Sequence, residues 1–276
     1  MPSNVFPNLD RAGFSATRDA LHAYARVIGA WAVASRGRRK HWWHASLRPA
    51  LCGMTTGLVT GPVDYELEFD IAHSQVHVHA VAGTTTAMLT GQSAAQVGEA
   101  IEQALVGYGV DPALAPGEKV LSADPHPDYS AAAAGDFHSA LLSVTAAMED
   151  FRAGVREEAS PIQVWPHHFD LSMIWLPGPK IAGQDPADEE HADKQMNFGF
   201  VFGDAAIPEP YFYVTAYPLP DELPELALPA GTRWQTEGFQ GAVLKYRDLL
   251  ATDDPHAYLL DLWQRLIDEG RKHLTI

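Results

Sequence analysis

The chain has 276 residues, of which 46% are hydrophobic, a composition typical of a packed globular protein rather than a disordered or fibrous one. Its formal net charge of -16 disfavours non-specific binding to nucleic acid or to an anionic membrane surface, because both are polyanions. Cys52 is the only cysteine, which excludes an intramolecular disulfide and predicts that no cysteine-based zinc site can form within one chain.

The first part of the chain is predicted to fold as a helix, several strands and a second helix. Leu21, Ile28 and Trp31 recur at helical spacing within residues 12–35. Residues 41–90 are predicted to be rich in β-structure, since polar and apolar residues alternate over 64–71 and 75–81. Ser93 stands three residues before Gln96 and ahead of an apolar helical stripe, which predicts a capping box at the start of a helix.

The second part of the chain repeats this order. Proline-rich residues 111–135 are predicted to form a surface connector, and a helical stripe follows over 137–155. Further strands are predicted over 162–176, 196–202, 211–217 and 233–239. The last helix is predicted to begin at the cap Asp254, with Pro255 at its first position, and to end near Gly270.

These elements predict the α+β class, with two similar helix/antiparallel-sheet/helix halves packed together. The halves are residues 1–110 and 136–276, joined by 111–135. A Trp/His cluster opens the strands of each half, at residues 41–44 and 165–168. This parallel favours an internal duplication in which the two clusters would face each other across one site, although many α+β proteins have such an order by chance.

His168, Asp170 and Glu209 are the candidate catalytic residues. Strand alternation from Trp165 onward would place His168 and Asp170 on one face, where the carboxylate could orient the imidazole for general-base or metal chemistry. A structural His/Asp hydrogen bond is the alternative. Glu209 could accept a proton or bind a metal.

The candidate ligand-binding residues are Trp43, His44, Tyr211 and Tyr213. Alternation gathers Tyr211 and Tyr213 on the face that carries Glu209, which would suit a pocket wall, although aromatic rows are also favoured cross-strand partners in any sheet. The pattern assigns no metal ligand and no cofactor.

Two other features favour structural interpretations. His77 and His79 share a strand face, an arrangement found in some metal sites, but a solvated face is the favoured interpretation. Cys52 has no basic neighbour in sequence, which favours an inert thiol over a nucleophile.

Four short motifs resemble a bacterial family of uncharacterised proteins, a domain-of-unknown-function family. They are His41-Trp42-Trp43-His44, Phe169-Asp170-Leu171, Gly199-Phe200, and the run from Glu209 to Pro218. The resemblance runs over nearly the full chain and implies no activity. It carries over Trp42, Trp43, His44, Asp170, Glu209 and the tyrosine face without assigning them roles.

Two hypotheses for function follow. The first is a small-molecule site between the halves, with acid/base or metal-assisted chemistry. The second is a non-catalytic ligand-binding or interaction module, whose polar residues satisfy hydrogen bonds at a buried seam. The expected partner is a small molecule, not nucleic acid or a membrane. Residues 1–11 lack the basic start and apolar core of a signal peptide, so a cytoplasmic location is expected. The oligomeric state is not predicted.

Overall fold

The computed structural model describes residues 6–275, and its helices and two antiparallel sheets confirm the α+β class. The chain contacts divide it into two compact units. Unit A comprises residues 7–142 and 164–169, and unit B comprises residue 6 together with 143–163 and 170–275. The internal duplication stays a prediction.

Unit A contains two helices and a five-stranded antiparallel meander. The helices are α1 (Phe14–Ser35) and α2 (Ala94–Gly107), and the strands, in spatial order, are β1 (Arg48–Ala50), β2 (Gly53–Thr55), β3 (Tyr65–Asp70), β4 (Gln75–Ala80) and β5 (Gly83–Met88). Leu67, Phe69 and Val76 are fully buried, which confirms the alternation that predicted β3 and β4. The capping box is confirmed, because Ser93 Oγ accepts from Gln96 N at 3.2 Å and Gln96 Oε1 accepts from Ser93 N at 3.0 Å.

The Trp/His cluster at residues 41–44 is not the start of a strand, so that prediction is wrong. It lies in a 3₁₀ segment, Lys40–Ala45, in which His41 and Trp42 have φ values of 48° and 59°. Two successive residues in the left-handed region cannot continue an extended backbone, so the chain turns sharply here.

Unit B contains a second antiparallel sheet. The elements from residue 131 onward are α3 (Ala131–Ala153), β6 (Glu158–Ala159), β7 (Gln163–Trp165), β8 (Asp170–Leu176), α4 (Glu189–Ala192), β9 (Gln195–Val201), β10 (Tyr211–Tyr217), β11 (Thr232–Gln235), β12 (Gly241–Lys245), α5 (Tyr246–Leu250) and α6 (Pro255–Leu274). The strands of the sheet run in the order β11–β12–β10–β9–β8–β6, and helix α6 contacts β9 and β10. The unit boundary at residues 142 and 143 falls within α3.

The strand predicted over residues 162–176 is interrupted. A turn over 166–169 separates β7 from β8, and Phe169 has a φ of 57°. His168 lies in this turn, whereas Asp170 is the first residue of β8. The prediction that His168 and Asp170 share one strand face is therefore wrong, because alternation does not run through a turn.

The final helix begins as predicted, since Asp254 Oδ1 accepts from Ala257 N at 3.0 Å and Pro255 is at the first position. It continues to Leu274 instead of ending near Gly270. A Cβ at position 270 would lie 2.2 Å from Met196 Sδ, so this glycine allows close packing of α6 on β9 rather than ending the helix. No helix within residues 6–275 is long and apolar enough to cross a membrane.

A bidentate ion pair joins the end of α6 to the segment before β6. Arg271 Nε and Nη2 donate to the two carboxylate oxygens of Glu157, at 2.8 and 2.9 Å. Hydrogen bonding from Arg271 lowers the pKa of Glu157 from its ordinary 4.5 to about 2. The pair therefore stabilises the folded state above the unfolded pKa, and this stability is lost as the pH falls from about 4.5 through about 2.

We expect Glu157→Gln to lower the free energy of unfolding at pH 7 by about 1 to 2 kcal/mol, since the pair is partly buried and bidentate. The difference from wild type should shrink as the pH falls from about 5 toward 2, measured by urea unfolding at several pH values. Glu149→Gln is the matched control, because its pair with Arg152 is more exposed. A pH-independent difference between Glu157→Gln and wild type would contradict the assignment.

Candidate functional site

A groove of 390 Å³ lies on the surface of unit A. Its lining residues are Arg26, Gly29, Ala30, Val33, Ala34, Ala45, Ala115, Pro116, Gly117, Val120, Pro166 and His167. Arg26 and His167 supply the charged and titratable side chains, and the other lining residues are glycine, alanine, valine and proline. The groove therefore has apolar walls and a basic end.

Four separate segments of unit A form the groove. They are helix α1, Ala45 at the end of the 3₁₀ segment, residues 115–120, and the turn at Pro166 and His167. A Cβ at position 29 would lie 2.5 Å from Pro166 Cγ, so Gly29 lets this turn approach the helix. Leu47 and Val164 exchange two backbone hydrogen bonds of 2.9 Å, which fix the segments carrying the two Trp/His clusters to each other.

The basic end contains an arginine and three imidazoles. The His22 ring stacks on Phe169 with a centroid distance of 5.1 Å, and the rings of His167 and His168 lie 4.5 Å apart. Desolvation lowers the pKa of His167, and the charges of His168, His22 and Arg26 lower it further. Burial also lowers the pKa of His22, and hydrogen bonds from its imidazole to the backbone of His167 and Pro166 oppose this effect. His22 and His167 are thus mostly neutral at pH 7 beside a permanently charged guanidinium.

Trp43 and His44 lie immediately before the groove residue Ala45, but they do not line the groove. His44 is buried, and its Nδ1 accepts a hydrogen bond from Arg39 N at 3.2 Å. Desolvation and the charges of the neighbouring arginines lower the pKa of His44. Arg36 donates to the carbonyl oxygens of His44 and Thr56, so this arginine stabilises the turn that carries His44. The assignment of Trp43 and His44 as ligand-binding residues stays a prediction.

In unit B, the predicted site residues Asp170 and Tyr213 are in contact. Tyr213 Oη donates to Asp170 Oδ2 at 2.6 Å, and the Asp170 carboxylate is buried. The phenol reaches β8 from β10 by crossing β9 at Gly199, whose register partners are Ser172 and Tyr213. Burial, followed by the charge of Asp170, raises the pKa of Tyr213 well above its ordinary value. Tyr213 is therefore a neutral donor at neutral pH.

The other two candidates in unit B have separate partners. Tyr211 Oη donates to Asp204 Oδ2 at 2.6 Å, and Asp204 Oδ1 also accepts from the backbone N–H groups of Ala206 and Ile207. Glu209 forms ion pairs with Lys245 and with Arg247, the latter at 3.2 Å. These contacts give both side chains structural roles, and a catalytic role for Glu209 stays a prediction.

The sequence patterns did not predict a role for Arg26 or His22. A signal for them does exist, because these two residues lie four positions apart and therefore share one face of the first helix. The groove itself was not predicted, because residues such as Gly29, Ala45 and Val120 carry no reactive group.

The chain is similar to one known family of proteins over nearly all of its length. A sequence profile of a family of unknown function, DUF5996, matches residues 6–273. The chain therefore belongs to that family. No curated protein and no solved structure matched it.

Proposed function

We propose that this member of DUF5996 is a small-molecule-binding protein that takes an anionic organic compound in the groove of unit A. The observation that carries the proposal is the pairing of an apolar groove with a basic end in a protein whose net charge is -16. The charge at this end of the groove is positive, whereas the net charge of the whole chain is negative. This difference favours the binding of a ligand with an anionic group.

The size of the groove supports a small organic ligand. Its 390 Å³ falls within the range of roughly 300 to 1,000 Å³ that is typical of such sites. Alanine, valine and proline side chains would contact the apolar body of the ligand, while Arg26 would pair with its carboxylate or other anionic group. His167 would donate a further hydrogen bond.

Displacement of a fluorescent anion tests the proposal. The probe is anilinonaphthalene sulfonate, competed by octanoate, octanol or octylamine, which share an apolar chain and differ in charge. We expect octanoate to compete best, because only the carboxylate can pair with Arg26. Its affinity should also increase as the pH falls and His22 and His167, whose pKa values are lowered by burial, take up protons.

We expect Arg26→Gln to weaken octanoate binding about tenfold or more, as loss of a hydrogen bond between charged groups predicts. Arg18→Gln is the matched control, because it removes the same charge from the same helix and Arg18 does not line the groove. Equal competition by octanol and octanoate, or an unchanged octanoate affinity in Arg26→Gln, would refute the proposal.

The paired polar side chains of unit B, Asp170, Glu209, Tyr211 and Tyr213, support the second hypothesis from the sequence, in which polar residues only satisfy hydrogen bonds at a buried seam. Its phenols are paired with Asp170 and Asp204, and its glutamate is paired with Lys245 and Arg247. Acid/base chemistry at His168, Asp170 and Glu209 stays a prediction. Its test is whether Asp170→Asn, once shown to be folded, changes the turnover of any compound that the groove binds.

A further inference from the structure

Two turns of unit A meet at one end of its sheet. Cys52 lies in the turn between β1 and β2, and His73 lies in the turn between β3 and β4. Ala72 N donates to Cys52 O at 3.0 Å, which joins the two turns directly. Asp70, the last residue of β3, accepts a hydrogen bond from His73 N at 2.9 Å, so its carboxylate is held at the same place.

The side chains where the two turns meet are a thiol, a carboxylate and imidazoles, three chemical types that bind metal ions in proteins. One ligand atom from each of Cys52, Asp70 and His73 lies within 4.8 Å of the others. His77 Nε2 lies 3.4 Å from Asp70 Oδ2, but it is outside the group of atoms that lie within 4.8 Å of one another. Metal–ligand bonds of 2.0 to 2.3 Å place tetrahedral ligand atoms roughly 3.2 to 3.8 Å apart, so a side-chain rotation that brings His77 closer would complete a set of four around one ion.

Asp70 is the centre of this cluster. Its side chain is only 8% exposed, and His73 and His77 are its ion-pairing partners within the described part of the chain. A buried carboxylate normally needs a cation beside it. A divalent cation would supply that charge to Asp70.

The second contact of His77 favours metal binding. His77 Nδ1 lies 2.8 Å from Thr86 Oγ1 on the neighbouring strand, while Nε2 faces Asp70. When Nδ1 carries the proton, Nε2 presents its lone pair to the cluster, as in metal sites where an outer hydrogen bond sets the tautomer.

The next histidine on β4 provides a comparison. His79 has an equivalent contact with Thr84 through Nδ1, at 3.0 Å, and its Nε2 lies 3.1 Å from Glu68. Glu68 is more exposed than Asp70. His79 therefore has the same strand face and the same kind of hydroxyl partner as His77, but its carboxylate partner is Glu68 instead of Asp70.

We propose that Cys52, Asp70, His73 and His77 bind a transition-metal dication of the Zn²⁺ type, in a site separate from the groove. The donor set of thiolate, carboxylate and two imidazoles suits Zn²⁺ and Co²⁺ rather than Mg²⁺ or Ca²⁺, which prefer oxygen ligands. The His73 side chain is 64% exposed, so the site is open to solvent on one side.

Titration of the full chain with Co²⁺, followed by competition with Zn²⁺, tests the site. We expect about one equivalent of Co²⁺ to bind, with the ultraviolet charge-transfer band of a cobalt–thiolate bond. Cys52→Ser should abolish that band. His77→Ala should weaken Zn²⁺ binding roughly a hundredfold or more, since loss of an outer-sphere partner alone costs ten- to a hundredfold.

His79→Ala is the matched control, and its Zn²⁺ affinity should stay within about threefold of wild type. Thermal melts of the metal-free variants identify any variant that fails to fold. If Asp70→Asn fails to fold, substitutions of the more exposed His73 and His77 test the site instead. A wild-type protein that binds neither Co²⁺ nor Zn²⁺ would overturn the proposal. So would a charge-transfer band that survives in Cys52→Ser, or equal losses in His77→Ala and His79→Ala.

Discussion

Gly53→Ala is expected to lower the free energy of unfolding by about 3 to 5 kcal/mol, the sum of backbone strain and overpacking. Gly53 has a φ of 154°, which an alanine rarely adopts. An added Cβ would also lie 2.2 Å from Phe69 O and 2.9 Å from Ile71 N. Both atoms belong to the backbone, so no side-chain rotation can relieve the contact, and β2 would have to separate from β3.

Urea unfolding of wild type and variant measures this effect. Gly37→Ala is the control, because its φ is not in the left-handed region and a Cβ there would meet no atom within 4 Å. It should change stability by less than about 1 kcal/mol. Folded Gly53→Ala protein should also bind Co²⁺ less tightly, since the displaced residue adjoins Cys52. A loss below about 1 kcal/mol would show that the two strands can separate at low cost.

The elements that the sequence predicted well are those controlled by local patterns. The amphipathic stripe of α1, the Ser93 capping box, the strand at residues 211–217 and the start of α6 at Pro255 all depend on neighbours within a few residues. Such signals are independent of how the rest of the chain folds, so the structure retains them.

The elements that the sequence missed depend on distant contacts. His41, Trp42 and Phe169 adopt positive φ values that their own side chains do not favour, so only the surrounding structure can impose those turns. Gly270 looks like the end of a helix in sequence, but it lies inside α6 because Met196 occupies the space where its side chain would be. Short buried β12 has no alternation to reveal it.

The candidate sites also depend on contacts between residues that are distant in sequence. Cys52 is isolated in sequence, and His77 lies on a strand whose pattern indicates a solvated face, so neither predicts a metal site alone. Their relation arises from the β1–β2 and β3–β4 turns meeting at Asp70. The contact between Asp170 and Tyr213 likewise depends on strand order, because β8 and β10 are separated by β9.

Gly199→Ala is expected to destabilise the protein by about 2 to 4 kcal/mol. A Cβ at position 199 would lie 2.2 Å from Tyr213 Cζ and 2.4 Å from its Oη. The phenol ring would have to leave its place over β9. Asp170, which is buried, would then lose the hydrogen bond from Tyr213. The loss therefore combines overpacking with removal of a donor from a carboxylate.

A double-mutant cycle with Tyr213→Ala tests whether the Tyr213 ring causes this loss. Once the ring is removed, alanine at position 199 has space, so Gly199→Ala should cost less than about 1 kcal/mol in that background. The resulting coupling energy of roughly 2 kcal/mol would measure the combined cost of displacing the ring and losing its hydrogen bond to Asp170. Gly154→Ala is the control, because a Cβ there would meet only Phe151 O at an ordinary 3.4 Å.

Gly199→Ala also tests function, because the groove and the proposed metal site are formed by residues of unit A alone. Folded Gly199→Ala protein should therefore bind octanoate and Co²⁺ as wild type does, while its unfolding midpoint falls. That combination would assign the Asp170–Tyr213 pair to the structural seam. Unchanged stability together with altered octanoate affinity would instead give the pair a role in ligand binding.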